Sequence, residues 1–346
     1  MSPKRINLAL QGGGAHGAFT WGVLDRLLES GEIEVAAISG TSAGALNGAA
    51  LKAGLARGGP AAARETLDWL WYQVGALSDM RLASWMTALA PATGVISQAI
   101  EYSTPVSAAD LATRMFSPYA WGPLYQNPLE RIVARFDYAA VCEEGVGPRL
   151  FVCATNVRSG KIRVFTGPEI GTRAILASAC LPTLFQAVEI EDPATGRTEA
   201  YWDGGYTGNP ALFPLFDQSL PADIMVVNIN PLWREDVPRA PQEIMNRINE
   251  ISFNTSLFRE LRAIGFVRRL IDEGRMPAGA MKDVLIHMVM DDDLMNDLSV
   301  ATKLVPSPVI LARLRAAGQA AAQRFLDHHL DDLGERATVD LAGMFG

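Results

Sequence analysis

Residues 6–55 read INLALQGGGAHGAFTWGVLDRLLESGEIEVAAISGTSAGALNGAALKAGL, and the order of apolar and glycine-rich pieces in this stretch decides the fold. Ile6 to Leu10 is a short apolar run that stops at glycines, the pattern of a buried strand. Gln11 to Gly17 is a glycine-rich turn. From Ala18 to Ser30 the residues Phe19, Val23, Leu24, Leu27 and Leu28 recur at helical spacing, and Gly31 stands where a helix-ending glycine belongs. Val35 to Ser39 is a second apolar strand, Gly40 to Gly44 a tight turn, and Ala45 to Leu55 a helix of small residues. Strand, helix, strand and helix in that order imply parallel strands joined by helical crossovers.

Further along, the pattern breaks and then resumes. Between Thr66 and Tyr125 the chain is rich in aromatics (Trp69, Trp71, Tyr72, Trp85, Tyr102, Phe116, Tyr119, Trp121 and Tyr125) interrupted by Gly75, Pro91, Gly94, Pro105 and Pro118. This reads as helices and loops inserted between strands, either as an aromatic core layer or as the wall of an apolar pocket. Strands are expected at Leu150 to Ala154, Ile162 to Phe165, Glu199 to Trp202, Asp223 to Ile229 and Val284 to Met290. Thr172 to Cys180 reads as a helix stopped by Pro182. Gln242 to Asp272 is the longest helical pattern, with Ile244, Ile248, Ile251, Leu257, Leu261, Ile264 and Val267 near one stripe. An Ala-rich helix follows from Pro306. The stretch Arg57 to Pro60 reads as a loop within one domain.

Composition narrows the partners. The formal net charge of −8 speaks against nucleic-acid binding, which needs a basic surface, and against a polybasic membrane patch. Contact with a membrane or lipid surface through apolar groups stays open. The three cysteines, Cys142, Cys153 and Cys180, lack metal or disulfide spacing and read as reduced core thiols. No apolar run reaches the ~18 residues of a transmembrane helix, and the first strand is too short for a secretory signal, so a cytoplasmic protein is expected.

Three constellations carry chemistry. Gly40-Thr41-Ser42-Ala43-Gly44 is a G-x-S-x-G between a strand and a helix. A serine on such a turn projects its hydroxyl clear of the sheet, glycines two residues away let the backbone crowd, and the following helix aims its first amides at the same place. The bland alternative is a helix N-cap serine. Gly12-Gly13-Gly14-Ala15-His16-Gly17 fits the dinucleotide pattern G-x-G-x-x-G, but Glu32 and Glu34 precede the second strand instead of following it, where ribose would need an acid. Amides of Gly12, Gly13 and Gly14, together with Ala43, fit an oxyanion hole beside the Ser42 turn better. His16 lies within that loop, and a structural or anion-stabilising role suits it better than that of a base. His287 sits in an apolar strand as a core histidine, and His328 and His329 lie at the polar end of a helix. Asp203, after a short strand and before Gly204 and Gly205, occupies a turn where a carboxylate can act as base if burial raises its pKa. Spacing alone does not bring it to Ser42.

The three motifs in this order resemble the patatin-like phospholipase family of bacterial type, across roughly residues 6 to 230. The resemblance implies a Ser42–Asp203 dyad without histidine, an oxyanion loop over Gly12 to Gly17 supported by His16 and Gly17, an elbow framed by Gly40 and Gly44, and an aspartate turn held by Gly204 and Gly205. Ala177 to Pro182 resembles the helix-to-proline segment that precedes the aspartate in that family. Where the family often has Arg or Lys, this chain has His16, so a fixed positive charge is expected to be missing or pH-dependent. The implied activity is a serine acyl-ester hydrolase acting on lipid, with a polyhydroxyalkanoate depolymerase or thioesterase as the enzymatic alternative and a non-catalytic lipid-binding protein as the other. No metal or organic cofactor is implied, and the oligomeric state is not fixed. The expected architecture is one domain over residues 1–346: a three-layer α/β/α sandwich with a mostly parallel central sheet, an aromatic-rich helical insertion at about 60–145 and a C-terminal helical extension at about 240–346.

Overall fold

The first strand, β1 (Lys4–Leu10), shows why the molecule has two cores. Ile6, Leu8 and Leu10 point into one apolar cluster and Ala9 into the other, because successive strand side chains face opposite sides of a sheet. The computed structural model describes residues 2–77, 117–143, 145–193, 195–277, 279–298, 302–303 and 305–345. β1 is joined to β2 (Ile33–Thr41) by helix α1 (Gly17–Ser30), and the strands pair in parallel from Lys4↔Ile33 to Leu10↔Gly40. β3 (Arg149–Asn156) adds in parallel to β2, β7 (Asp223–Val227) to the far side of β1, and β8 (Leu285–Val289) to β7. The remaining strands are antiparallel: β4 (Ile162–Thr166) and β6 (Arg197–Asp203) on β3, and β5 (Val188–Asp192) on β6. The sheet is mixed, with a parallel centre and an antiparallel flank.

Helices cover both faces, giving the three-layer sandwich. On one face α1 packs against α2 (Ala43–Ala76) and the late helix α5 (Pro308–His329). α1 and α5 touch backbone to backbone at two glycines: a Cβ on Gly22 would lie 2.0 Å from Arg315 O, and one on Gly318 2.1 Å from Phe19 O. α2 extends well beyond the expected Ala45 to Leu55. The loop expected at Arg57 to Pro60 is a kink inside it, with Gly58 and Gly59 non-helical and Pro60 restarting the helix. Proline fits there because the first turn of a helix needs no N–H from it. Trp71 and Trp69 of this helix are packing residues: Trp71 stacks on Trp21 and donates from Nε1 to Asn47 Oδ1, and Trp69 meets Phe136 edge-on. Trp85, Tyr102 and Phe116 lie outside the described residues.

The opposite face is covered by α4 (Pro241–Asp272). Its apolar stripe splits, contrary to the sequence expectation. Leu257, Leu261 and Ile264 are buried against Ile224, Val226 and Ile286, each worth about 1.5–3 kcal/mol. Ile244, Ile248 and Ile251 are 41–52% exposed, because at about 3.6 residues per turn they fall on the opposite side of the helix from Leu257, Leu261 and Ile264, and the buried face continues through Asn246, Glu250 and Asn254. Among the described residues, no helix is long and apolar enough to cross a membrane.

Candidate active site

Two strand ends meet on β3, and that meeting builds the site. β2 ends with Thr41 opposite Cys153, and on the next residue of β3, Ala154, the opposite partner is Asp203, the last residue of β6. β4 occupies the other edge of both Cys153 and Ala154. The ends of β2 and β6 therefore abut on one edge of β3, and the residues that follow Thr41 and reach Asp203 become neighbours. Gly204 is the hinge of this contact: a Cβ there would lie 2.2 Å from Cys153 O and 3.0 Å from Thr41 Cγ2.

Ser42 occupies the elbow between β2 and α2. Its backbone, φ +54° and ψ −120°, is the only positive φ among the described residues that are not glycine. Such a conformation costs on the order of 1–3 kcal/mol and persists only where neighbours enforce it. Here the neighbours are tight. A Cβ on Gly44 would lie 2.1 Å from Leu10 O, one on Gly40 2.6 Å from Gly44 O, and one on Gly17 2.6 Å from the Ala43 Cβ. The Ser42 N–H donates to Ser178 Oγ at 2.9 Å, and its carbonyl accepts from Leu46 N at 3.1 Å to start α2. Ser178 ends the helix α3 (Thr172–Ser178), so the Ala177 to Pro182 segment reaches the elbow directly. Among the described residues no N-cap hydrogen bond from the Ser42 side chain is made, which sets aside the bland reading of this serine.

Asp203 is 2% exposed. Burial raises its pKa to about 7, against the opposing pull of hydrogen bonds from the Gly205 N–H (2.8 Å) and from the Ser42 side chain. A carboxylate beside a serine hydroxyl and poised near neutrality can take a proton from it. The carboxylate is aimed by its own backbone: Asp203 N donates to Cys180 O, and Thr155 Oγ1 to Asp203 O, both at 2.8 Å. Gly205 has no room for a side chain because Phe253 lies where its Cβ would point.

The glycine loop arrives from the other side. A Cβ on Gly12 would lie 2.7 Å from Ser42 Cβ, so only glycine lets the two turns touch. The Gly12 N–H, expected as an oxyanion donor, is already given to Asn209 Oδ1 at 2.6 Å, which leaves Gly12 as a spacer. Among the described residues, no acceptor takes the N–H of Gly13, and the Ala43 N–H opens α2 beside it. Gly14 turns with φ +59°. His16 fits the expectation that no fixed positive charge stands here. It is buried, Nε2 meets Thr302 Oγ1 at 2.7 Å, and desolvation, with the nearby Lys303 charge, holds its pKa well below the usual imidazole value. Burial therefore disfavours a proton on His16, and its Nε2–Thr302 contact ties the loop to the C-terminal region. His287 is the satisfied core histidine expected, bonded to Asp223 at 3.0 Å.

A buried amide network that sequence reasoning missed fixes the loop. Gln11 Oε1 accepts from Ile229 N (2.9 Å), Asn230 N (3.1 Å) and Asn230 Nδ2 (3.1 Å), and its Nε2 donates to Asn209 O and Asn254 Oδ1 at 3.2 Å each. Asn209 N donates to Ser256 Oγ at 3.0 Å. The only available signal was that Gln11 adjoins the glycines at a strand end. Glu260, whose pKa burial raises to about 7, accepts from Leu212 and Phe213 amides at 2.8 Å each and pins the chain that leaves the aspartate turn.

Comparison with known proteins bears on this geometry. No curated protein matches in sequence. Solved structures with related coordinates include VipD from Legionella pneumophila (15% identity, TM-score 0.43, 94% of this chain and 67% of that one). Another is the type III effector ExoU (16% identity, TM-score 0.36, 97% of this chain and 55% of that one), also solved with SpcU from Pseudomonas aeruginosa. This chain thus spans about half to two thirds of the length of those chains, and nothing about activity follows from likeness at that level. The model of the family described as patatin-like phospholipase matches residues 8–216, which contain all three motifs and more than half of the 346 residues. The chain therefore belongs to the patatin-like phospholipase family, whose activity in general terms is hydrolysis of lipids.

Proposed function

We propose that this protein is a serine acyl-ester hydrolase of phospholipase A type working through a Ser42–Asp203 dyad. The observation that carries the reading is the abutment of β2 and β6 on β3, which sets a strained serine against a buried carboxyl with a pKa of about 7. Asp203 accepts the Ser42 hydroxyl proton as Oγ attacks the ester carbonyl carbon. The carbonyl oxygen gains the negative charge and is met by the N–H groups of Gly13, Gly14 and Ala43, at the N-terminus of α2. The tetrahedral intermediate collapses, the alcohol leaves with the proton from Asp203, and the acyl group stays on Ser42. Water then attacks the acyl-enzyme; Asp203 takes its proton and returns it to Ser42 Oγ as the acid leaves, restoring the resting enzyme.

No histidine is needed, because burial brings a carboxylic acid into the range where it is both base and acid near neutral pH. In Ser42→Ala, labelling by a fluorophosphonate and turnover of p-nitrophenyl esters of graded chain length should fall to background, a drop of roughly 10⁴-fold or more. Full esterase activity in that variant would refute the mechanism. The chain-length series separates long-acyl lipids from the short acyl units of a polyester, and a matched thioester series tests the remaining alternative.

A further inference from the structure

Lys303 lies far beyond the matched residues 8–216, yet it closes on the glycine loop. Its backbone carbonyl sits where a Gly14 side chain would be, 2.3 Å from a Cβ built there. Its neighbour Thr302 holds His16. Its own Nζ donates to Asn230 Oδ1 at 2.8 Å, and Asn230 Nδ2 donates to Gly12 O at 2.9 Å. The Gly12 carbonyl belongs to the same peptide unit as the Gly13 N–H, the amide proposed above to meet the oxyanion.

A chain of hydrogen bonds polarises each member in turn. A cation on Asn230 Oδ1 draws electrons from the amide and makes its Nδ2–H a stronger donor. That donor then draws electrons from Gly12 O and, through peptide resonance, makes the Gly13 N–H a stronger donor too. The charged groups around the ammonium are Glu250, which favours its protonated form, and Arg234 and His16. Arg234 is already bound to Glu250 by two hydrogen bonds of 2.8 and 2.6 Å. His16 is neutral.

We propose that Lys303 is a positioning residue of the oxyanion loop, its ammonium driving a relay through Asn230 and the Gly12 carbonyl that ends on the Gly13 N–H. This deepens the hydrolase reading and rests on it for its catalytic consequence. The relay itself is a property of the resting protein. It places the loop's positive charge on a residue from the C-terminal region, where His16 does not carry it.

The test uses the full chain as wild type, Lys303→Met and Lys303→Arg. By NMR, the Gly13 amide proton should move upfield in Lys303→Met, and the His16 pKa should rise once the neighbouring charge is gone. In ester turnover, Lys303→Met should lose roughly 10–100-fold in kcat with KM nearly unchanged, and Lys303→Arg should recover most of it. In wild type, activity should decline as pH rises through about 8, where the ammonium deprotonates, and Lys303→Met should lack that limb. An unshifted Gly13 amide in Lys303→Met overturns the relay whether or not the protein hydrolyses esters. A wild type that neither labels nor turns over overturns the hydrolase reading instead. If Lys303→Met does not fold, the wild-type alkaline limb decides, and its absence contradicts the proposal.

Discussion

Residues 8–216 and the residues after them serve the site in different ways. The first region carries the groups proposed to react: Ser42, Asp203 and the glycine loop. The second supplies none of these, yet Asn230, Asn254, Ser256 and Glu260 hold the first region's turns through hydrogen bonds, and Lys303 bonds Asn230 in turn. Reacting groups are kept under strain or in costly burial, as in the positive φ of Ser42 and the raised pKa of Asp203. Supporting groups are hydrogen-bonded, although burial also shifts the pKa values of Glu260 and Lys303. The contrast predicts that changes at the reacting groups remove activity without loss of stability, and that changes in the hydrogen-bond network around them cost stability.

The largest effect is expected at Asp203. Asp203→Asn keeps the shape but cannot accept a proton, so kcat should fall by roughly 10³–10⁴-fold. Its stability should move the other way. The folded pKa is raised above the unfolded value, so burial penalises only the ionised form. That penalty is absent below the unfolded pKa, grows as pH rises, and is complete above about 7. Melting curves should show the variant more stable than wild type at pH 8 and equal to it near pH 4. A variant less stable at both pH values would break the contrast.

A smaller effect on rate, joined to a loss of stability, is expected at the contact between the two regions. Gln11→Ala leaves the buried amides of Ile229 and Asn230 without their acceptor, at a cost of about 1–3 kcal/mol each. Turnover should fall by roughly 10–100-fold as the glycine loop loosens. Denaturant unfolding and kcat measured on one preparation check both halves. The smallest rate effect belongs to Glu260, which touches only the exit from the aspartate turn. Glu260→Ala should unfold about 1–3 kcal/mol more easily, with the Leu212 and Phe213 amides unpaired, and turnover should stay within several-fold of wild type. Loss of activity in Glu260→Ala without loss of stability would place that residue with the reacting groups.

The same division explains what could be read from the sequence. Local signals found the β1–α1–β2–α2 unit, the elbow, the glycine loop and the aspartate turn, because strand periodicity and turn glycines act over a few residues. The meeting of Ser42 with Asp203 was not legible. It depends on β6 taking the edge of β3 where β2 stops, which pairs residues 45 to 49 positions apart on β3 and β6 and 112 apart on β2 and β3. The edge strand β5 escaped notice although Val188 and Ile190 alternate with Glu189 and Glu191, since a five-residue strand with one half-buried face gives a weak signal. Gln11, Asn209, Asn230 and Asn254 look like ordinary loop and helix polar residues until the fold buries them together. On α4 the apolar residues form two faces and not one stripe: Leu257, Leu261 and Ile264 are buried, whereas Ile244, Ile248 and Ile251 lie on the opposite side of the helix and stay exposed.

The central claim is that two abutting strand ends make Ser42 a nucleophile with Asp203 as its base. Its most direct test is the rate of fluorophosphonate attachment to Ser42 as a function of pH, followed by intact-protein mass spectrometry in wild type and Asp203→Asn. The wild-type rate should rise as pH increases through about 7, following ionisation of Asp203, and Asp203→Asn should label slowly at every pH without that rise. Labelling of Asp203→Asn at the wild-type rate, or attachment to a residue other than Ser42, would contradict it.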